Sequence, residues 1–382
     1  MDTGGYSKLE HVVGEGTAGT AINNSKQQDD EKSADRKRRG GKPQRQNGVK
    51  PNDSSPLLSW NNHNKLYDQH SCCCPGSATS FSSSLPVPSE CSWRGDLRLV
   101  SYDDLPSWRQ HNPFILSGYR VNCESYAACI RSCFFPHNEL LNIWSHALGL
   151  LAFVTFFGVT YGYTLWASTA ADDAGKTHRG SYVDGLIFAP FLTGATFCLL
   201  MSTLYHTFEP CGKRVSLGWA KADYVGITIL IWGSYFPVVH YLFVCRWLLQ
   251  VIYLSVVTLL SIGVTIVSIF DVFAAKNVHW YRALLFTSLG LSGLAPILHF
   301  TATHQFEGNK DNDNKLFYLI AMGVFYLIGA AFYATRIPER FFPGSCLTDM
   351  VHSHFIFHML INAGAVCHWM GSVYDFRHEE GC

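Results

Sequence analysis

The chain has 382 residues, of which 48% are hydrophobic and only 15% are charged. Soluble domains carry about 25% charged residues, so the composition argues against an ordinary soluble enzyme. The 29 basic and 29 acidic residues give a formal net charge of zero, so the net charge indicates no class of partner. We expect no nucleic-acid partner.

The N-terminal quarter is polar and is rich in Ser, Asn, Gln, Lys and Gly. Such segments cannot bury enough apolar surface to fold, so we predict a disordered cytoplasmic tail over residues 1–95. Its basic run, Arg36–Arg39, is interpreted as a solvated stretch. The role of the adjacent-cysteine run, Cys72–Cys74, stays open between a reversible acylation site and plain tail sequence.

A juxtamembrane segment is predicted over residues 96–137. Its scattered apolar residues, among them Trp108 and Phe134, leave two interpretations open. The segment either lies on the membrane surface as an amphipathic element or packs against the cytosolic ends of the bundle.

Long apolar runs fill residues 138–376, which we predict to be an all-α integral membrane domain with seven transmembrane helices. A spanning helix needs about 20 apolar residues, and helices satisfy their own backbone hydrogen bonds in lipid. The predicted spans are 140–166, 184–207, 222–244, 248–270, 282–303, 316–335 and 352–374. A short C-terminal tail, residues 377–382, would follow.

Orientation is predicted from Lys and Arg near the span ends. These residues are slightly more numerous on the side of the N-terminus, which favours a cytoplasmic N-terminus. This arrangement is opposite to that of G-protein-coupled receptors.

Polar groups that are costly in a membrane gather at four span ends. They are Glu139, Asn142 and His146 at the start of span one, Ser202 and His206 at the end of span two, Asp223 at the start of span three, and His354 and His358 at the start of span seven. Odd spans start, and even spans end, on the side of the N-terminus. All eight residues are therefore predicted to meet in one leaflet.

Three imidazoles with an open fourth position are typical of catalytic zinc, which lowers the pKa of a bound water. We predict Zn²⁺ bound by His206, His354 and His358. Asp223 and Ser202 would act on the water as catalytic residues. Glu139, Asn142 and His146 would support the site. Two alternatives stay open, namely a heme bound by paired histidines and histidines that only bond across helices.

The chain also resembles the progestin and adipoQ receptor family over about residues 101–378. The segments that carry the resemblance are Asn112-Pro113-Phe114-Ile115, Gly118-Tyr119-Arg120, Glu139 with Asn142-Ile143-Trp144-Ser145-His146, Ser202 with His206 and Asp223, Arg336-Ile337-Pro338-Glu339-Arg340-Phe341-Phe342-Pro343-Gly344, and Ser353-His354 with His358. Within the family, the best match is the branch of adiponectin receptors and the Raf-kinase-trapping Golgi protein, in the haemolysin III-like superfamily.

The resemblance implies a seven-helix bundle of adiponectin-receptor type with a cytoplasmic N-terminus and the same zinc ligands. It implies receptor signalling, with an extracellular hormone as a ligand, coupled to ceramidase-like hydrolysis of a lipid amide. The alternative is a Golgi-membrane scaffold whose N-terminal region binds a Raf-type kinase, with zinc in a structural role. The two hypotheses place the protein in the plasma membrane or in the Golgi.

Overall fold

The computed structural model describes residues 98–121, 123–169, 181–275, 278–303 and 310–378. The predicted cytoplasmic tail, with its basic and cysteine runs, and the last four residues lie outside these ranges.

Helices dominate the described part of the chain. They are α1 (Tyr126–Ser132), α2 (Leu140–Thr169), α3 (Ser181–Phe208), α4 (Lys213–Leu242), α5 (Trp247–Ser268), α6 (His279–Leu291), α7 (Leu294–Thr303), α8 (Lys310–Thr335), α9 (Cys346–Met350) and α10 (Ser353–His378). Two short 3₁₀ helices, Glu209–Cys211 and Asp271–Ala274, follow α3 and α5. Two short strands, β1 (Arg98–Val100) and β2 (Tyr119–Val121), pair antiparallel with Leu99 opposite Arg120.

Six segments of the described chain are long and apolar enough to cross a membrane. They are Leu140–Trp166, Gly185–Cys211, Lys213–Leu242, Trp247–Ser268, His279–Thr303 and Asn314–Thr335. The prediction of an all-α, multi-pass integral membrane protein is thereby confirmed. The predicted seventh span is the helix α10, whose 26 residues extend about 39 Å. It is not among the six, since its histidines reduce its apolar character.

The most extensive helix packing joins α3 to α4, with further large contacts between α8 and α10 and between α2 and α3. Small residues permit the close approach of α3 and α4. A Cβ atom added at Gly226 would lie 2.9 Å from the Cα of Cys198, and one added at Gly194 would lie 2.9 Å from the carbonyl oxygen of Ile229. This approach places the end of α3 directly beside the start of α4.

The fifth apolar segment is broken between α6 and α7. The hydroxyl of Tyr235 donates to the carbonyl of Leu289 over 3.0 Å and lies 2.6 Å from the hydroxyl of Ser292. Backbone groups freed by a break within a membrane need such partners. Tyr235 of α4 therefore supplies a hydrogen-bond partner for groups at the break between α6 and α7.

The juxtamembrane segment packs against one end of the bundle. Ser125 caps α1 by accepting from the amide of Ala128, and the aromatic residue Tyr126 contacts Phe208 of α3 at a ring distance of 4.6 Å. Phe134, by contrast, is 70% exposed. The described contacts therefore show packing of this segment against the bundle. The alternative of a surface-lying element stays a prediction.

Candidate metal centre

His206 lies in the last turn of α3, whereas His354 and His358 lie in the first two turns of α10. The i,i+4 spacing puts the latter two on one face of α10. α3 ends soon after His206, where a 3₁₀ turn leads to Gly212 with a φ of 129°. This left-handed backbone suits glycine and turns the chain into α4. Two helix ends thus present the three imidazoles to one another.

One nitrogen from each of the three rings lies within 4.8 Å of the others. The Nε2 atoms of His206 and His354 are 3.1 Å apart. His358 is buried, and its ring centre lies 4.6 Å from that of His354 and 5.0 Å from that of His206. The triad has the size and composition of a site that could hold a metal ion.

Hydrogen bonds to Nδ1 of His206 and of His358 determine which ring nitrogen of each histidine is free to face the centre of the triad. Nδ1 of His358 lies 3.2 Å from the carbonyl oxygen of Asn142, a pure acceptor, so Nδ1 must carry the proton and Nε2 keeps its lone pair. Nδ1 of His206 lies 2.8 Å from a carboxylate oxygen of Glu139, which orients that ring in the same way. Neutral imidazoles with inward lone pairs are the donor set that a metal cation needs.

Glu139 is itself held in place. The side-chain amide of Asn142 donates to the carboxylate of Glu139 over 2.6 Å. The backbone amide of Glu139 donates to Nδ1 of His137 over 3.0 Å. Burial, followed by the charge of Arg120, lowers the pKa of His137 to about 2, so this ring stays neutral and accepts. The start of α2 therefore presents Glu139 to His206 in a fixed position.

His146 of α2 stacks face to face on His358, with ring centres 3.5 Å apart and an interplanar angle of 8°. It thus lies beside a triad histidine but outside the triad. Ser202 of α3 lies close to the carboxylate of Asp223 of α4. Both are buried, and both line the cavity that His354 and His358 also line.

Several known proteins share much of this sequence. Residues 134–369 match the haemolysin-III related family. The chain is 35% identical to progestin and adipoQ receptor-like protein 1 of Caenorhabditis elegans and 36% identical to the adiponectin receptor protein of Drosophila melanogaster. These matches cover 72% and 73% of this chain, and 60% of each relative. Heptahelical transmembrane protein 1 of Arabidopsis thaliana is 36% identical over 74% of this chain and 83% of its own length.

This chain belongs to the progestin and adipoQ receptor family. The resemblance expected from its motifs is therefore confirmed. The aligned part spans less than two thirds of the length of the worm and fly relatives.

In this receptor-family protein, His354 and His358 of the triad line a cavity of about 330 Å³ whose wall comes from α2, α3, α4, α6, α7, α8 and α10. Its polar end carries His146, Ser202, Asp223, His354 and His358. The remaining wall is mostly aliphatic and aromatic, as at Leu230, Leu319 and Met322. The volume is near the lower end of the range of about 300–1,000 Å³ for ligand pockets.

Several residues that hold this centre were not predicted from the sequence. Ser145 lies 3.1 Å from Nδ1 of His358, and His352 lies 3.3 Å from the carbonyl of Asn138. Glu339 is fully buried and accepts from both the amide and the hydroxyl of Ser353, the first residue of α10. The signal available for Ser145 and His352 was their position next to other site histidines in the chain. Glu339 belongs to the Arg336–Gly344 segment that carries the resemblance, but nothing in the sequence placed its side chain at the start of α10.

Proposed function

We propose that this protein is a seven-span receptor whose buried zinc site hydrolyses a lipid amide of the ceramide class. One observation carries the proposal: two histidines of the triad, His354 and His358, line an apolar cavity together with Ser202 and Asp223, and His206 lies against them. A metal centre, a proton acceptor and an apolar binding space are the three parts that metal-assisted hydrolysis of a lipid requires.

The donor set fits zinc. Three nitrogen ligands with the fourth position left to water or substrate are a common catalytic zinc arrangement, and His206, His354 and His358 would hold the ion. Zinc, when bound, polarises the amide carbonyl and makes the attacking water more acidic. The carboxylate of Glu139 and the carbonyl of Asn142 hold the protonated Nδ1 atoms that keep the lone pairs facing inward.

Proton transfer falls to Asp223. Its carboxylate takes a proton from the attacking water and delivers it to the amide nitrogen as the carbon–nitrogen bond breaks. The hydroxyl of Ser202, which lies close to this carboxylate, would donate to it and orient it. His146, stacked on His358, limits the rotation of that ring.

The cavity accounts for a lipid substrate. Its aliphatic and aromatic wall suits an acyl chain, while its polar end receives the amide. Removal from bulk water also strengthens the electrostatic contacts at the polar end. A substrate of this class would reach the site without leaving the membrane.

Receptor signalling and orientation extend the proposal to the whole protein. Relatives named adiponectin receptor and progestin and adipoQ receptor support a receptor role with an extracellular hormone ligand. A relative named heptahelical supports α10 as the seventh span, with the N-terminus cytoplasmic. We place the protein in the plasma membrane, and Golgi retention with kinase binding is the competing outcome.

The test is release of fatty acid from ceramide by zinc-containing protein in detergent. We expect the Asp223→Asn variant to keep its zinc but to lose activity by about 100-fold or more, the usual contribution of a general base. Asp271→Asn makes the same chemical change at an exposed residue that bridges Lys221, and it should leave activity unchanged. The proposal would be contradicted if zinc-containing wild type released no more fatty acid from ceramide than the Asp223→Asn variant.

A further inference from the structure

The juxtamembrane residues 109–120 contact the end of α3 and the segment that leads into α10, next to the helices that supply the triad histidines. We call this segment the clasp. It precedes α2 and carries no triad histidine, yet its side chains reach the end of α3 and the loop before α10. These contacts join positions from about 86 to 233 residues apart in the chain.

Two buried arginines connect the clasp to α3. Arg120 is fully buried and donates to the carbonyl of His206 over 2.6 Å and to that of Thr207 over 3.3 Å. Arg109 donates to both carboxylate oxygens of Glu209, over 2.8 and 2.7 Å, and to the carbonyl of Arg120 over 2.6 Å. Burial opposes the charge of Arg109, but Glu209 outweighs it and raises the pKa of Arg109. Bidentate charged pairs of this kind are strong and directional.

A single carboxylate connects the clasp to α10. The side-chain amide of Asn112 donates to Glu339 over 3.0 Å. The same carboxylate accepts from the amide and the hydroxyl of Ser353, over 2.7 and 2.5 Å. Glu339 thereby caps the first turn of α10, immediately before His354, where an anion also suits the helix dipole.

A second set of bonds strengthens this side of the clasp. Asp349, in α9, accepts from the amide of Leu116 over 3.2 Å and from the hydroxyl of Ser117 over 2.6 Å. Arg336, at the end of α8, donates to the carbonyl of His111 over 3.0 Å. The loop that leads into α10 is thus held at several points.

We propose that the clasp positions His206 and His354 for metal binding, with Arg120 and Asn112 as positioning residues, so that metal affinity is set from the juxtamembrane segment. This inference rests on the proposed zinc site. His206 and His354 sit on different helices, and His206 is held through Arg120 while His354 is held through Glu339 and Asn112. Loss of groups that orient metal ligands typically weakens metal binding by about 10- to 100-fold.

Coupling of this kind is reciprocal. If the clasp favours metal binding, the metal must stabilise the clasp by the same free energy. A partner that displaced residues 109–120 would weaken metal binding, which gives the juxtamembrane segment a regulatory role at the site.

The test compares two equivalent substitutions in the full chain. Asn112→Asp removes the donor to Glu339 and sets two carboxylates against each other, while its oxygen can still accept from the amide of Phe114. Gln110→Glu makes the same amide-to-acid change inside the clasp, but at a side chain whose described hydrogen bonds go to the carbonyls of Tyr102 and Leu105 rather than to α3 or to the loop before α10. It therefore tests whether the bond to Glu339, and not a general change in the clasp, sets the affinity. Zinc dissociation constants are measured by chelator competition, and thermal midpoints of the metal-free proteins are measured alongside.

We expect Asn112→Asp to bind zinc about tenfold more weakly than wild type, Gln110→Glu to match wild type, and Asn112→Asp/Glu339→Gln to recover part of the loss. On the unaltered protein, zinc should slow amide hydrogen exchange in residues 109–120. The inference would be overturned if Asn112→Asp bound zinc as tightly as wild type, or if Gln110→Glu weakened zinc binding equally. It would also be overturned if zinc did not change the rate of amide hydrogen exchange in residues 109–120. Wild type that binds no zinc would instead overturn the proposed function on which the inference rests.

Discussion

At the scale of the residue, the metal centre depends on which ring nitrogen carries a proton. The carboxylate of Glu139 lies 2.8 Å from Nδ1 of His206, and the carbonyl of Asn142 lies 3.2 Å from Nδ1 of His358. Both contacts favour protonation on the outer nitrogen and a free lone pair on the inner one. Residues outside the triad therefore determine whether the triad can bind a cation.

Glu139→Gln should bind zinc more weakly than wild type. An amide in place of the carboxylate holds the Nδ1–H of His206 less firmly, so we expect zinc affinity to fall by about tenfold. Glu124→Gln, the same change at an exposed juxtamembrane residue, serves as the control. Chelator competition on the two proteins makes the comparison, and equal affinities would show that Glu139 does not orient the ring.

The histidines of the triad were predictable because helix parity follows from span order alone. It put the end of span two and the start of span seven on one side, and the structure brings His206, His354 and His358 together there. The partners Ser145, His352 and Glu339 were not predictable in the same way. Their contacts depend on side-chain directions and on a loop conformation, which neither periodicity nor composition specifies.

At the scale of the element, the close packing of α3 on α4 positions Ser202 beside Asp223. Gly226 faces the backbone of α3 at Cys198, and Gly194 faces the backbone of α4 at Ile229. Small residues let helix backbones approach closely in membranes, and the resulting packing contributes to helix association. The proposed catalytic pair therefore depends on glycines near it on the same two helices.

Gly226→Ala should separate the two helices. The added Cβ would stand 2.9 Å from the Cα of Cys198, and such overpacking costs about 1–3 kcal/mol. Gly218→Ala, on the same helix, meets nothing within 4 Å and should be neutral or stabilising. Thermal unfolding in detergent distinguishes the two, and an unchanged midpoint for Gly226→Ala would show that the close approach does not stabilise the bundle.

Helix existence was predicted well from apolar runs, whereas helix limits were not. The third span was predicted from residue 222, but α4 begins at Lys213 and extends more than two turns further. Its first residues are charged and lie beyond the apolar run, so hydropathy could not include them. The interruption between α6 and α7 was also unexpected, because Tyr235, which satisfies it, comes from another helix.

At the scale of the whole molecule, the proposed orientation determines which compartment faces the metal centre. The clasp, the triad and the start of α2 lie together at one end of the bundle. With a cytoplasmic N-terminus, the site opens near the inner leaflet. A hormone on the opposite face would then act across the full length of the helices.

The orientation can be tested on the N-terminal tail. Asn23-Asn24-Ser25 and Asn52-Asp53-Ser54 are glycosylation sequons in a segment predicted to stay cytoplasmic. We expect the protein from eukaryotic cells to carry no glycan at either site. A glycosidase-sensitive mass shift, abolished by Asn23→Gln/Asn52→Gln, would contradict the cytoplasmic N-terminus.

The most direct test of the central claim is the zinc content of detergent-purified protein, measured by elemental mass spectrometry. The matched samples are wild type and His354→Ala/His358→Ala, both verified as folded. We predict about one zinc per chain in wild type, since three histidines and one open position form a single site, and none in the variant. Folded wild type without zinc, or a variant that retains it, would contradict the proposed metal centre and leave the histidines as groups that pack between helices.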